Sequence, residues 1–353
     1  MAIKAQQMRS FDPNGVGERG KLFGLPFTPD TAEVVILPVP WEVTVSYGAG
    51  AALGPRAVLE ASSQIDYFLP DIPEAWKIGV AMERIPGEWA ERSAELRKRV
   101  RPYLEWLEAG NAGMEPGPEF AGMLKEVEST GAELRDWLAA KAGTYLEEGK
   151  KVGILGGDHS TPLGLMKALA ARKEAFGILQ IDAHADLREA YEGFRFSHAS
   201  IMTEALRLPE VCRLVQVGVR DICEEEMRVI EESAGRIRLF SGQALHEGRF
   251  GGTTWAAQCA EIVAALPEKV YLSFDIDALD PGLCPHTGTP VPGGLQMEEA
   301  LFLVKQVVMS GRELIGFDLC EVAPGKDDWD GNVGARILYR FASWMGSKCI
   351  PRP

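Results

Sequence analysis

Short apolar, β-branched runs recur along the chain, separated by longer stretches in which apolar residues return at helical spacing. The runs lie at 32–39, 77–81, 151–155, 176–181, 213–219, 236–240, 269–274 and 313–319, giving eight candidate strands. Several are apolar on both faces, as parallel strands covered by helices on either side must be, whereas a half-solvated antiparallel strand would alternate. Amphipathic segments at 161–173, 199–208, 224–234, 254–265, 297–310 and 333–345 fall between them. This order predicts a three-layer α/β/α fold around a mostly parallel sheet of about eight strands.

The longest connection, 82–150, holds a charged helical stretch, the Gly/Pro-rich break GNAGMEPGPEF and a second helical stretch to Tyr145. It reads as a helical insertion around 83–150. Its basic residues Arg97, Lys98, Arg99 and Arg101 alternate with Glu91, Glu95 and Glu105, which predicts a solvated mixed-charge face rather than a nucleic-acid contact. The stretch ALHEGRFGGT places His246 in a surface loop.

Composition narrows the class. With 46% hydrophobic and 25% charged residues, the 353-residue chain affords a sizeable core, in one large domain or two. A net charge of −14 argues against a general nucleic-acid or anionic-membrane binder and suits a cationic small substrate. The six cysteines, at 212, 223, 259, 284, 320 and 349, form no C-x-x-C pair and read as reduced thiols. No apolar leader and no run of 18 apolar residues is found, so a cytoplasmic location is expected.

Chemistry gathers where strands end, which is where an open parallel sheet binds ligands. After 151–155 comes Gly156-Gly157-Asp158-His159-Ser160; after 176–181 comes Asp182-Ala183-His184-Ala185-Asp186; Asp275 and Asp277 close the run VYLSFDIDALDP. In extended backbone, positions i, i+2 and i+4 share a face, so Asp182, His184 and Asp186 can point into one cleft with Asp275, Asp277 and His159. Two imidazoles and four carboxylates exceed the needs of one tetrahedral zinc and match two divalent ions. Four carboxylates buried together also demand about four compensating positive charges. Oxygen and imidazole donors without thiolate favour manganese, with nickel, iron and cobalt open.

The segments GGDHS, DAHADLR, SFDIDALDP and GFDLCEVAP, in this order, resemble the signatures of the ureohydrolase family of arginases, agmatinases, guanidinobutyrases and formiminoglutamases. The similarity runs from about Pro38 to about Phe341. It implies a single ureohydrolase domain over 1–353 with an arginase-like fold, and two Mn2+ per subunit. One ion would be held by His159, Asp182, Asp186 and Asp275, the other by Asp182, His184, Asp275 and Asp277. It further implies His198 as a proton shuttle and Glu321 as the guanidinium partner, so the catalytic residues are His198, Glu321 and Asp186. With an ordinary pKa near 6.5, His198 would serve as general acid to the leaving amine. A homotrimer or homohexamer is implied as well.

DAHADLR followed by EAYEGFRFSHA resembles agmatinases most, which makes agmatine the expected substrate, hydrolysed to putrescine and urea. Guanidinobutyrate, guanidine, arginine and formiminoglutamate are the other substrates in view, and a non-catalytic metal-binding protein is the reading of another class. Departures from the agmatinase pattern are Cys284 and His286 in CPHTGTP, the length of 82–150, and the segment after Glu321. His286 could line the pocket and accept a carboxylate. Trp41 and Tyr47 belong either to the entrance or to the core, and Arg188 and Arg195 either meet anions or form ion pairs.

Overall fold

The computed structural model describes residues 2–347, so Cys349 lies outside the described residues. Its strands are β1 (Val34–Val39), β2 (Val80–Met82), β3 (Lys151–Gly156), β4 (Phe176–Ile181), β5 (Val211–Val217), β6 (Ile237–Phe240), β7 (Lys269–Phe274) and β8 (Glu313–Leu319). They form one sheet in the order β2-β1-β3-β8-β7-β4-β5-β6, and every pairing is parallel. All six residues of β1 and of β4 are buried, which is why neither run alternates in sequence. The second strand begins later than its apolar run, because residues 75–78 form a 3-10 turn that ends at Gly79, in left-handed backbone.

The helices are α1 (Ala2–Ser10), α2 (Gly54–Ser62), α3 (Gly87–Trp106), α4 (Pro118–Glu147), α5 (Leu163–Ala170), α6 (Ile201–Leu206), α7 (Glu224–Glu232), α8 (Gly242–Phe250), α9 (Trp255–Ala264), α10 (Met297–Met309) and α11 (Trp329–Gly346). Helix α11 packs on α2, α10 and β8, while α4 packs on α5 and β3, so helices flank the sheet. The Ser241 and Thr254 hydroxyls accept the N–H groups of Ala244 and Ala257 and start α8 and α9. His246 therefore lies in a helix and not in a loop: the cap at Ser241 outweighs the glycines that follow it, and His246 Nδ1 lies 2.8 Å from the Gly242 carbonyl oxygen.

The connection 82–150 folds as α3 and α4, with the Gly/Pro-rich break between them. The basic cluster on α3 divides between two faces. Arg99 and Arg101 stay outside, paired with Glu126 and Glu105. Arg97 turns inward, is half-buried and donates to the Val43 carbonyl at 3.3 Å.

The carboxyl ends of β3, β8, β7 and β4 lie side by side in the middle of the sheet. From β3 the chain skips two strand positions to form β4, and a reversal of this kind opens a crevice at the strand ends.

Candidate metal centre

Strand β3 runs directly into the turn Gly157-Asp158-His159. Only glycine fits at 157, since a Cβ there would stand 1.9 Å from the Trp41 carbonyl oxygen. Asp158 fixes the turn: its N–H donates to Trp41 at 2.8 Å, and its Oδ1 accepts from the Ser160 N–H at 3.0 Å. His159 is thereby carried beneath the neighbouring strand ends, 1% exposed. After β4, Asp182, His184 and Asp186 follow, and Asp186 holds a left-handed φ of 55°, which a non-glycine keeps only where its surroundings enforce it. After β7, Asp275 Oδ1 accepts the Asp277 N–H at 2.9 Å, which tightens the turn carrying both carboxylates.

These turns bring all six sequence-predicted donors together. His159 Nδ1 lies 3.0 Å from Asp182, 2.9 Å from Asp186 and 3.3 Å from Asp275. His184 Nδ1 lies 3.1 Å from Asp277 and 3.7 Å from Asp182. The result is two donor groups, His159–Asp182–Asp186 and Asp182–His184–Asp277, that share Asp182 and could each hold a metal ion. Although three carboxylate oxygens surround it, His159 Nδ1 makes no well-directed hydrogen bond with any of them. A single nitrogen cannot serve three anions, whereas a cation placed among them can, so the residues fit a metal.

The charge states point the same way. Burial alone would push His159 down, but Asp182 and Asp186 hold its pKa well above the ordinary value. Burial likewise opposes His184, yet Asp277 and Asp182 raise it to about 12. Asp182 is driven up by burial and pulled further down by the two imidazoles, ending well below the usual carboxylate range. Burial, then the charge of Asp182, lifts Asp186 to about 7, and burial, then Asp277, lifts Asp275 well above its ordinary value. Carboxylates buried this close need positive charge among them, which protonated imidazoles or a bound cation would supply.

Sequence reasoning missed the residues that orient these donors. Ser273 Oγ lies 2.9 Å from His159 Nε2, and Gln180 Nε2 donates to Asp182 at 2.8 Å while its Oε1 accepts from Gln216 at 2.7 Å. Thr289 donates to Asp277 at 3.3 Å. A signal for three of them was present: Gln180, Gln216 and Ser273 are polar residues near the carboxyl ends of otherwise apolar strands, and a buried polar side chain needs a partner.

A cavity of about 440 Å³ opens over the cluster, with His184, Asp186, His198, Tyr191, Arg188 and Asp221 among its walls. His198 has a buried, unpartnered Nδ1, and its ring meets Tyr191 edge-on at 5.8 Å. Burial, followed by the charges of His184 and His159, lowers its pKa to about 4, so it is neutral at pH 7 rather than titrating near its ordinary value. Glu321 lies against His159, is not among the residues lining the cavity, and is 5% exposed in left-handed backbone with φ 61°. Its Oε1 accepts the His159 N–H at 2.9 Å, and its Oε2 is buried without a partner. Burial, then Asp158, raises its pKa well above the ordinary value.

The structure also sorts the residues left open by the sequence. Arg188 faces the cavity with its guanidinium 5.0 Å over the Tyr191 ring, whereas Arg195 is spent on Glu204 at 2.8 Å. Trp41 belongs to the core, and Tyr47, 83% exposed, stands at the cavity mouth. His286 is not a cavity wall, because its Nδ1 pairs with the buried Asp330 at 2.8 Å, and Cys284 is buried with its thiol on the Ile276 carbonyl.

An all-parallel α/β sheet with an Asp/His cluster at its central strand ends defines the class, an α/β/α protein with a candidate metal site at its strand ends. The model of the arginase family matches residues 32–343, and the chain belongs to that family. It is 33% identical over 327 residues to the N(1)-aminopropylagmatine ureohydrolase of Thermus thermophilus, covering 92% of this chain and 94% of that one. It is 28% identical over 321 residues to the agmatinase of Neisseria meningitidis, covering 90% and 88%. Among solved structures, the agmatine ureohydrolase of Thermoplasma volcanium superposes with a TM-score of 0.68 at 19% identity, over 97% of both chains.

Proposed function

We propose that this chain hydrolyses the guanidino group of a small amine with release of urea. The proposed metal ligands are His159, Asp182, His184, Asp186, Asp275 and Asp277, holding two divalent cations, manganese first among them. The observation that carries this reading is the pair of donor groups meeting on Asp182 below a cavity that His198 also faces. Two cations bound there would supply Lewis acidity and lower the pKa of water toward neutrality.

The chain's own residues do the rest. The unpartnered Oε2 of Glu321 accepts an N–H of the guanidinium and orients its carbon toward the cluster. His198, at the cavity wall with an unpartnered Nδ1, is placed to take a proton from the attacking water and return it to the departing amine. Tyr191 keeps the imidazole ring in place from its edge.

Agmatine is the first substrate to test, since Asp221, exposed on the cavity wall and in no ion pair among the described residues, offers a countercharge to a cationic far end. N(1)-aminopropylagmatine is the second, favoured by the 33% identical relative named for it. The protein is proposed to act in the cytoplasm as a homotrimer or homohexamer. Urea release after manganese loading is to be measured with agmatine, N(1)-aminopropylagmatine, arginine and 4-guanidinobutyrate. Release from either of the first two at a kcat/KM at least tenfold above the last two is expected. Release from none refutes the function, and release only from the carboxylate-bearing pair refutes the substrate class.

A further inference from the structure

Helix α3 takes no part in the chemistry above, yet it touches both loops that frame the cavity. Toward the loop 41–50 it turns Trp89, edge-on to Trp41 at 6.1 Å, and Ser93, whose hydroxyl accepts the Glu42 N–H at 3.1 Å. Arg97 adds its hydrogen bond to the Val43 carbonyl. That loop is folded around Glu42, whose Oε2 accepts the N–H groups of Gly50 at 2.6 Å and Ala52 at 3.2 Å, and it presents Ser46 and Tyr47 to the cavity.

Toward the other loop, α3 turns Tyr103. Residues 191–194 make a tight turn closed by two backbone hydrogen bonds between Tyr191 and Phe194, with left-handed φ at both Glu192 (52°) and Gly193 (83°). Two positive φ values are the requirement of a type I′ turn, in which a glutamate at the first central position is strained. Tyr103 holds this turn from outside: its hydroxyl donates to the Glu192 carbonyl at 3.1 Å, and its ring meets Phe194 edge-on at 5.8 Å. Tyr191, at the start of the same turn, is the residue whose ring abuts His198. Arg97, half-buried between the two sides, lies within electrostatic reach of Glu42, Asp158 and Glu192, although its one hydrogen bond among the described residues is to Val43.

We propose that α3 braces the two cavity loops, and that Tyr103 is a positioning residue for His198, acting through the 191–194 turn and Tyr191. The kinetic half of this inference rests on the proton-carrying role given to His198 above. Its structural half does not.

The test compares Tyr103→Phe, Arg97→Gln and the outward-facing control Arg99→Gln by hydrogen–deuterium exchange, bound metal and steady-state kinetics. Tyr103→Phe keeps the ring and loses the hydroxyl. Exchange in 187–197 then rises at least about fivefold, and kcat falls about tenfold with KM within about twofold, as expected when one hydrogen bond that orients a reacting group is lost. Arg97→Gln speeds exchange in 41–50, and Arg99→Gln changes neither loop. Bound metal stays at the wild-type level in all three. If Tyr103→Phe and Arg97→Gln both exchange like the wild type, or if Arg99→Gln loosens the same loops, the brace is refuted. If the loops loosen while the wild-type protein releases no urea from any guanidino compound, the brace stands and the proposed function falls.

Discussion

Removing the metal gives the most quantitative check on the proposed centre. An unfolding entropy of about 2.1 cal/mol/K per residue gives about 0.74 kcal/mol/K for a chain of 353 residues. A cation present at about 1,000 times its dissociation constant stabilises the folded state by about 4.1 kcal/mol, and two of them by about 8 kcal/mol. Chelation is therefore expected to lower Tm by about 11 °C. In the metal-free protein the cluster takes up protons, chiefly on His159 and His184.

That proton uptake fixes the sign of the pH dependence. His184 has a folded-state pKa raised from 6.5 to about 12, so its protonation stabilises the metal-free protein fully below about pH 6.5, and this support is lost progressively as pH rises above it. The gap between metal-loaded and metal-free protein should widen by about 1.4 kcal/mol, or about 2 °C, per pH unit on this account. The assay is thermal unfolding at pH 6.5, 7.5 and 8.5, with chelator and with excess manganese, alongside Asp182→Asn, which removes the oxygen donor common to both groups. A shift below about 2 °C, a gap that narrows with rising pH, or an undiminished shift in Asp182→Asn would each defeat the reasoning.

Replacing His198 by Asn should lower kcat about 10²- to 10⁴-fold while bound manganese, measured by elemental analysis, stays at wild-type stoichiometry; a parallel loss of metal would make His198 a ligand instead. Glu321→Gln removes a charge-assisted hydrogen bond worth about 1.5–3 kcal/mol and should reduce kcat/KM for a guanidino substrate about 10- to 150-fold, and an unchanged value would release Glu321 from its role. Away from the site, Asp71 is half-buried, which raises its pKa, but the Trp344 indole N–H at 2.9 Å and then Lys305 at 3.4 Å bring it below the ordinary value. Its stabilisation is thus present above about pH 4 and lost as pH falls through the folded-state pKa. Asp71→Asn should cost about 1–2 kcal/mol near pH 7, or about 1–3 °C in Tm, and little at pH 3, whereas an equal cost at both pH values would contradict the assignment.

What the sequence determined by itself was whatever repeats locally. Burial on both faces wrote the eight strands as continuous apolar runs, and three of them, 176–181, 269–274 and 313–319, match the observed strands residue for residue. The alternation Asp182-His184-Asp186 and the pair Asp275, Asp277 were legible because a period of two sets which side chains share a face. Tertiary structure alone decided what lies across the chain. The strand order that sets β3 and β4 around β8 and β7 brings His159 within 3.3 Å of Asp275, 116 positions away, and no local period encodes such a pairing. The inward turn of Arg97, the hold of Tyr103 on Glu192 and the distance of His286 from the cavity were equally invisible. In each case one residue type is compatible with a solvated, a paired or a site-facing position, and only the neighbours delivered by folding select among them.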